Sequence, residues 1–416
     1  MHRCLLATLG KDAPGVNAAV RAATRLATQQ KFEVLGAQRG FPGILEEQYR
    51  PLKPGDVGFI LGKGGSLLGS VDFRVAPGAH DVTDRLAAQL KKFDVVVATG
   101  GLGSFALLSR VYSTNDMGMT TTMFIPASIE NEFLNPAPTP GEDDIHAESI
   151  GSDTAANTAI EAIDKLREQS YLTRTVFMIQ CVGGKSNFLP VQIGLACGAH
   201  RVYLPLFPGL TDEGKEEIGR LFGASFDPNR VDMKELVAWI ERMFRDSHMK
   251  YLNVILPSGI PLGYMTSEQG QGIPGQTYEA IVSSMAPLEL TTLRVVDGLT
   301  MHFAGNDEIH ICYVILDDLQ RGGAPTLRDR VLGSIYGEAA IEEFLSIVNT
   351  QDYDKRGNLN LLAVRDTVNV AWRCYPRSAV LPLFSGPNPR AGGLDPLPFF
   401  RQSRGTVSGY RPLAAL

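Results

Sequence analysis

The sequence lacks a long hydrophobic run. No stretch of its 416 residues approaches the roughly 18 consecutive apolar residues needed to cross a bilayer. The short apolar stretch at residues 1–8 leads directly into a turn motif, which predicts a first strand and not a secretory signal. We therefore expect a cytoplasmic protein without a membrane partner.

Cysteine is scarce, and the spacings typical of metal sites are missing. There is no CxxC pair, and the histidines show no HxH or HExxH spacing, which argues against a structural zinc site. The five cysteines are scattered and lie mostly within apolar stretches, at positions 4, 181, 197, 312 and 374. This distribution predicts reduced, buried thiols.

Positive charge is also in short supply. The formal net charge is -6, whereas a nucleic-acid-binding protein needs a basic surface to neutralise phosphates. The composition excludes a nucleic-acid partner and favours a small-molecule substrate.

Short apolar runs alternate with longer helical patterns, which is typical of βαβ units and a largely parallel sheet. The predicted strands are 4–9, 32–38, 95–99, 123–126, 176–181, 201–204, 252–256 and 309–316. The length allows two domains, each with its own core. The fold class is therefore α/β.

A glycine-rich turn, GKDAPGVN at residues 10–17, separates the first strand from an Ala-rich helix predicted over 18–28. We expect Asp12 to cap that helix and Pro14 to lie in its first turn. Backbone N–H groups at a helix start bind anions, and Lys11 adds positive charge. Gly10 and Lys11 are candidate phosphate ligands, and the alternative is a tight turn with no ligand.

Two further turns have a similar composition, TGGLGS at residues 99–104 and GKGGS at 62–66. Gly101 and Gly103, beside Ser104, allow a backbone to approach a phosphate closely. Turns of this kind are common in α/β folds, so neither is specific by itself.

A pair of acids follows the strand 123–126 in the segment PASIENE, residues 126–132. Open α/β sheets build ligand sites at the carboxyl ends of their strands. Glu130 and Glu132 project to the same side of an extended chain, so one can act as a base while the other holds a metal. The alternative is a pair of solvated loop acids.

A planar cation precedes a predicted helix in the segment LQRGGAP, residues 319–325. Arg321 can bind a phosphate through its guanidinium fork. The alternative is a surface ion pair.

In this order, the motifs resemble those of the phosphofructokinase family over about residues 4–345. The family pattern GGDAPGxN, GGTxLGS, GGDGS, PGTIDND and HIQRGGxPxxxDR is here GKDAPGVN, GGSLLGS, GGLGS, PASIENE and DLQRGGAPTLRDR, with EAID at 161–164. The resemblance implies two Rossmann-like, doubly wound domains with largely parallel sheets and a cleft between them. It assigns residues 1–149 and 309–360 to a larger phosphate-donor domain, 150–308 to a smaller acceptor domain and 361–416 to a C-terminal extension.

The resemblance also implies roles on the donor side. Glu130 matches the family's catalytic base, and Glu132 matches a second acid that is a candidate Mg²⁺ ligand. Leu102 stands at the family's magnesium-linked Asp, and Asp72 at an arginine that steadies the transferring phosphoryl group. The implied donor is ATP or pyrophosphate, and the implied donor ligands are Gly10, Lys11, Gly101, Gly103 and Ser104.

On the acceptor side, the resemblance implies binding by Ser128, Arg174, Asp318 and Arg321. Asp318 replaces a family His, and the arginine of the family's MGR segment is Gly184 here, so we expect an acceptor other than fructose 6-phosphate. The family supplies the residue matching Arg174 from a neighbouring subunit. A homo-oligomer, dimer or tetramer, is therefore expected.

Three functions fit this sequence. The first is a phosphotransferase with a diverged acceptor, which two surviving carboxylates favour. The second is the same scaffold used for a reaction other than phosphoryl transfer, since a fold does not fix a function. The third is a metabolite-binding regulatory subunit without catalysis, which Leu102 and Asp72 together favour.

Overall fold

The computed structural model describes residues 1–73, 80–133, 148–168, 174–183, 188–203, 231–247, 249–258, 290–306, 308–350, 356–364 and 370–375. All eight predicted strands are present within these ranges, with small differences at their ends. Gly184 and residues 376–416 lie outside the described residues.

The larger sheet has seven strands, in the order β11-β10-β5-β4-β1-β2-β3. They are β1 Arg3–Thr8, β2 Glu33–Ala37, β3 Tyr49–Pro51, β4 Val95–Gly100, β5 Thr121–Pro126, β10 Leu359–Val364 and β11 Val370–Tyr375. The five central strands, β10, β5, β4, β1 and β2, run parallel to one another. At the two edges, β11 pairs antiparallel with β10 and β3 pairs antiparallel with β2.

The second sheet has four parallel strands, in the order β7-β8-β6-β9. They are β6 Arg174–Cys181, β7 Arg201–Val202, β8 Tyr251–Pro257 and β9 Ile309–Ile315. Two doubly wound α/β sheets are the architecture that the sequence predicted.

Helices cover both faces of each sheet. They are α1 Val16–Gln29, α2 Phe41–Leu45, α3 His80–Leu90, α4 Leu102–Thr114, α5 Ser152–Arg167, α6 Phe188–Ala196, α7 Met233–Asp246, α8 Leu290–His302 and α9 Leu327–Asn349. Successive residues of β1 point to opposite faces, so Leu6 joins the core under α1 and α9 while Leu5 joins the core under α3 and α4. The first of these cores continues to Phe177 in β6 of the second sheet.

The start of α1 differs from the prediction. The helix begins at Val16, and its N-cap is Gly15 with φ 108° and no side-chain cap. Asp12 instead accepts a hydrogen bond of 2.5 Å from the Ser70 hydroxyl. The prediction that Asp12 caps α1 was wrong, because its carboxylate instead binds Ser70 in the segment GGSLLGS.

The predicted domain boundaries differ from the membership of the sheets. β9, placed at the start of the larger domain's second segment, pairs with β6 in the four-stranded sheet. β10 and β11 extend into the predicted C-terminal extension and complete the seven-stranded sheet beside β5. Periodicity identifies strands but not their partners, so it could not assign these segments.

The predicted burial of the cysteines is correct for three of the four that the structure describes. Cys4, Cys181 and Cys197 are buried, whereas Cys312 is exposed. Cys312 lies on β9, which forms an edge of its sheet. An apolar strand sequence is not sufficient for burial when one side of the strand has no neighbour.

Among the described residues, no helix combines the length and apolar character that crossing a membrane requires.

Close packing of α1 on α9 depends on glycines of α9. A Cβ on Gly337 would lie 2.4 Å from the backbone oxygen of Ala19, and one on Gly333 would lie 2.7 Å from that of Gly15. We predict that Gly337→Ala destabilises the protein by about 1–3 kcal/mol through overpacking, which outweighs the roughly 0.5–1 kcal/mol gained from replacing a helical glycine.

Urea unfolding measures this effect, and Gly55→Ala is the control. Its Cβ would meet nothing within 4 Å, so its unfolding midpoint should stay near that of the wild type. Equal midpoints for Gly337→Ala and Gly55→Ala would contradict the packing argument.

Candidate functional site

Three neighbouring parallel strands of the larger sheet end at one edge. β1 is paired with β4, and β4 with β5. The turns that follow them carry Gly10 and Lys11, then Gly101 to Ser104, then Ser128 to Glu132. The strand order reverses between β1 and β4, and ligands of open α/β sheets bind at such a point. The structure therefore brings the predicted donor-side residues and both acids to one edge.

The first two glycine turns pack against each other through Ser104. A Cβ on Gly10 would lie 3.0 Å from the Ser104 hydroxyl oxygen, and one on Gly100 would be as close to the Ser104 Cβ. Gly10 has φ 78°, a left-handed conformation that glycine adopts without strain. Lys11 is exposed beside this contact and Gly103 has open space around it.

The loop that contains GGSLLGS is fixed to the same edge by polar side chains. The buried Asn17 donates to the carbonyl oxygen of Lys63 at 3.0 Å and accepts from the N–H of Leu67 at 2.7 Å. The Thr8 hydroxyl, at the end of β1, donates to the carbonyl oxygen of Gly69 at 2.7 Å. This loop is thus held over the turn that follows β1.

Glu132 lies at the start of α4. Its Oε1 accepts a hydrogen bond of 2.6 Å from the N–H of Leu102, and the residue is only 5% exposed. A Cβ on Gly101 would lie 2.7 Å from the same oxygen, so a side chain at this position would displace the Glu132 carboxylate. A carboxylate at a helix N-terminus is stabilised by the free N–H groups and the helix dipole. The protein's own acid therefore binds the turn that the sequence predicted for a phosphate.

Glu130 faces Arg321 across the gap between the two sheets. Glu130 follows β5 of the larger sheet, whereas Arg321 ends a 3₁₀ turn, Asp317–Arg321, that follows β9 of the second sheet. Glu130 Oε1 and Arg321 Nη2 are 3.9 Å apart, and both side chains are mostly buried, at 12% and 16% exposure. Asp318 Oδ1 is also 3.9 Å from Arg321 Nε, but its side chain is 96% exposed. One cation thus lies between two acids.

The loop that carries Glu130 has a fixed shape. Ser128 and Asn131 are buried, and the N–H of Asn131 donates to the Ser128 carbonyl oxygen at 3.1 Å. Asn131 has φ 50°, a left-handed conformation that Asn tolerates better than most residues. Its Oδ1 accepts from the N–H of Ser149 at 2.7 Å.

Asp329 connects the start of α9 to the start of α5. One oxygen accepts from the N–H of Gly151 at 2.7 Å, and the other accepts from the N–H of Thr154 at 2.8 Å and from its hydroxyl at 2.5 Å. In return, the Thr326 hydroxyl donates to Asp153 at 2.6 Å. Burial raises the pKa of Asp329 to about 6, although the three donors oppose that shift.

Arg174 lies far from the other predicted acceptor residues within one chain. It begins β6 and forms an ion pair of 2.9 Å with Glu308. Arg321 follows the carboxyl end of β9, which is parallel to β6. The eight residues of β6 separate the two edges of the sheet by about 23 Å. Within one chain, Arg174 therefore lies at the opposite end of the second sheet from Arg321.

The described residues do not supply a ready cation site. No group of three His, Cys, Asp or Glu within them is arranged to hold a metal ion. Leu102 provides a hydrocarbon side chain beside the turn, and Glu132 Oε1 binds a backbone N–H. The donor set within the part of the chain that the structure describes therefore does not fit a protein-held Mg²⁺.

Sequence reasoning found the residues at the strand ends but missed two buried polar groups. Asp329 had a readable signal, because Thr326 and Asp329 form the T-x-x-D pattern of a helix start, and the N–H of Asp329 does donate to the Thr326 hydroxyl oxygen at 3.4 Å. Gln320, completely buried one residue before Arg321, gives no such signal. Asp72, which the resemblance aligns with a family arginine, is exposed.

Comparison with known proteins supports the sequence resemblance. Residues 3–344 match the family described as phosphofructokinase. The ATP-dependent 6-phosphofructokinase of Persephonella marina is 30% identical over 349 residues, which is 83% of this chain and 87% of that protein. The corresponding protein of Coxiella burnetii is 31% identical over 347 residues, 82% of this chain and 84% of its own length.

Solved structures show the same fold at lower identity. Saccharomyces cerevisiae phosphofructokinase aligns with a TM-score of 0.65 and 18% identity over 94% of this chain. The alignment spans 45% of that yeast chain, so this chain corresponds to about half of it. The pyrophosphate-dependent phosphofructokinase of Marinobacter aquaeolei aligns with a TM-score of 0.59 and 15% identity, over 91% of this chain and 84% of its own.

The raised pKa of Asp329 gives a testable pH dependence. Between its ordinary pKa of 3.8 and about 6, the folded protein holds a proton that the unfolded chain has released, so this group's contribution to stability falls as pH rises. We predict that the wild type loses about 2–3 kcal/mol relative to Asp329→Asn between pH 4 and pH 7.

Urea unfolding of both proteins across this range provides the measurement. Asp164→Asn, a change on the exposed side of α5, should track the wild type at every pH. A constant difference between the wild type and Asp329→Asn would show that Asp329 has an ordinary pKa.

Proposed function

Because the chain belongs to the phosphofructokinase family, we propose that it transfers a phosphoryl group from ATP or pyrophosphate to a hydroxyl group of a small-molecule acceptor other than fructose 6-phosphate. The observation that carries the proposal is the pair of Glu130 and Arg321, 3.9 Å apart, at the edge where the glycine turns of β1 and β4 meet. A carboxylate, a cation that faces it and glycine-rich turns beside them are parts that phosphoryl transfer uses.

Glu130 is the proposed base. Its carboxylate removes the proton of the acceptor hydroxyl as the oxygen attacks the terminal phosphorus of the donor, and the bond from that phosphorus to the leaving phosphate oxygen breaks. Limited exposure, 12% for this side chain, favours a fixed orientation. The guanidinium of Arg321 lies 3.9 Å from this carboxylate and helps to orient it toward the acceptor hydroxyl.

The donor phosphates are proposed to bind at Gly10 and Lys11 and at the turn from Gly101 to Ser104. Lys11 is exposed beside the end of β1 and provides a mobile point charge. Glu132 holds the N–H of Leu102 and so fixes the shape of the second turn. In this proposal Glu132 positions the turn, and Lys11 supplies the positive charge for the donor.

The acceptor is proposed to bind between Ser128, Asp318 and Arg321. Arg321 already lies within 3.9 Å of both Glu130 and Asp318, so much of its charge is balanced before a ligand arrives. That balance, with Asp318 where the family has a His, supports an acceptor without the phosphate of fructose 6-phosphate. Arg174 would reach this site from a neighbouring subunit of a homodimer or homotetramer.

A second candidate function is metabolite binding without turnover. Glu132 places a negative charge at the start of α4, and Asp72 places another where the family has an arginine. Both charges repel a phosphoryl donor. Binding of a ligand with no product would support this alternative.

We predict that Glu130→Gln lowers kcat roughly 100-fold to 10,000-fold, the usual contribution of a general base, while the protein stays folded. Steady-state kinetics with any acceptor that is turned over measures the effect. Glu161→Gln, on the exposed face of α5, is the matched control and should keep the wild-type kcat. A kcat unchanged in Glu130→Gln removes this residue from the mechanism.

Calorimetric titration of ATP and of pyrophosphate, each with and without Mg²⁺, tests the donor. Binding of one donor, followed by phosphorylation of a polyol in a product screen, is the expected result. Donor binding without product from sugars, sugar phosphates and polyols would favour the metabolite-binding alternative. Failure of both donors to bind would contradict phosphoryl transfer.

A further inference from the structure

Gln320 is completely buried, and both ends of its side chain make hydrogen bonds. Its Oε1 accepts from the N–H of Val182 at 2.8 Å, just after β6. Its Nε2 donates to the carbonyl oxygen of Ala155 at 3.2 Å, in the first turn of α5. A buried amide that reaches two separate elements fixes the backbone that carries it.

That backbone is the 3₁₀ turn Asp317–Arg321, which a second buried amide holds at its other end. The side-chain amide of Gln180, in β6, donates to the Asp317 carboxylate at 2.6 Å. The backbone carbonyl oxygen of Gln180 accepts from the N–H of Leu316 at 2.9 Å. Both amides belong to the second sheet and its connections, because Gln180 lies in β6 and Gln320 follows β9. The turn is therefore fixed at Asp317, its first residue, and at Gln320, the residue before Arg321.

Neighbouring residues on a 3₁₀ turn point about 120° apart. Gln320 is directed into the protein, while Arg321 is directed to Glu130 on the other sheet, with Nη2 3.9 Å from Oε1. The two residues that follow, Gly322 and Gly323, are exposed glycines and restrict the backbone little. The direction of Arg321 thus depends on the anchor before it.

We infer that Gln320 is a positioning residue: it holds the turn so that Arg321 lies against Glu130 across the gap between the sheets. Loss of the amide leaves the N–H of Val182 and the oxygen of Ala155 without this partner, and such buried groups are costly. The turn then moves to satisfy them and carries Arg321 away from Glu130. This role rests on the proposed function only for its effect on acceptor binding.

The reactivity of Arg321 with phenylglyoxal, mapped by mass spectrometry on the full chain, reports the position of its guanidinium without any assay of activity. In Gln320→Met, which keeps the side-chain volume, we expect the modification rate of Arg321 to rise roughly fivefold, which corresponds to about 1 kcal/mol. Arg245, exposed on α7, is the internal reference and should not change.

Asn360→Leu is the matched control. Asn360 is another fully buried amide, which donates to the carbonyl oxygen of Thr122 at 3.4 Å in the larger sheet. Its loss should destabilise the protein and leave the Arg321 rate unchanged. A rise in both variants would mean that general loosening, and not Gln320, controls Arg321, and this would overturn the inference.

Gln320→Glu covers the case in which the Met variant does not fold. It retains an acceptor for Val182 and loses the donor to Ala155, so the Arg321 rate should exceed that of the wild type. A wild-type rate in whichever variant folds also overturns the inference.

Activity provides an independent arm. With an acceptor that is turned over, Gln320→Met should raise KM for the acceptor by a larger factor than it lowers kcat, because Arg321 binds the acceptor and Glu130 removes the proton. A faster Arg321 reaction without any phosphoryl transfer would sustain the positioning role and contradict the proposed function. An unchanged Arg321 modification rate in a variant of an enzyme that transfers phosphoryl groups would support the proposed function and contradict the positioning role.

Discussion

The fold depends on one buried carboxylate. The N-termini of α5 and α9 lie close together, and helix starts must find acceptors for their free N–H groups. Asp329 provides them for α5 with both of its oxygens, while Thr326 returns a hydrogen bond from α9 to Asp153. Because α5 precedes the second sheet and α9 packs on the larger one, this exchange links the two sheets by hydrogen bonds, in addition to the apolar core that they share.

Charge at the site is arranged so that each acid has a donor within the chain. Glu132 binds the N–H of Leu102, Asp12 binds the hydroxyl of Ser70, and Glu130 lies beside Arg321. Acids held in this way are ordered before any ligand arrives, which lowers the entropic cost of assembling a site. Their negative charges also lie beside the turns that are proposed to bind the donor, so a phosphate bound there would need a cation to offset them.

Much of the fold could be predicted from the sequence, because apolar runs such as that of β4 and the glycine turns after them identify strands and their carboxyl ends. The partners of β9 and β10 could not be predicted, since pairing depends on contacts distant in the chain. Within the site, Glu130 and Arg321 follow readable motifs. The direction of Glu132 toward Leu102 and the two hydrogen bonds of Gln320 depend on how separate elements pack, and no local pattern encodes them.

Two motif glycines are favoured by packing, and Gly15 also by a left-handed backbone with φ 108°. A Cβ on Gly64 would lie 2.2 Å from the backbone oxygen of Gly323, and one on Gly15 would meet Ile150 at 2.7 Å. The fold therefore needs these glycines whether or not a ligand binds beside them. Glycines that match a family motif are evidence for the family's fold, and they do not by themselves show that the family's reaction takes place.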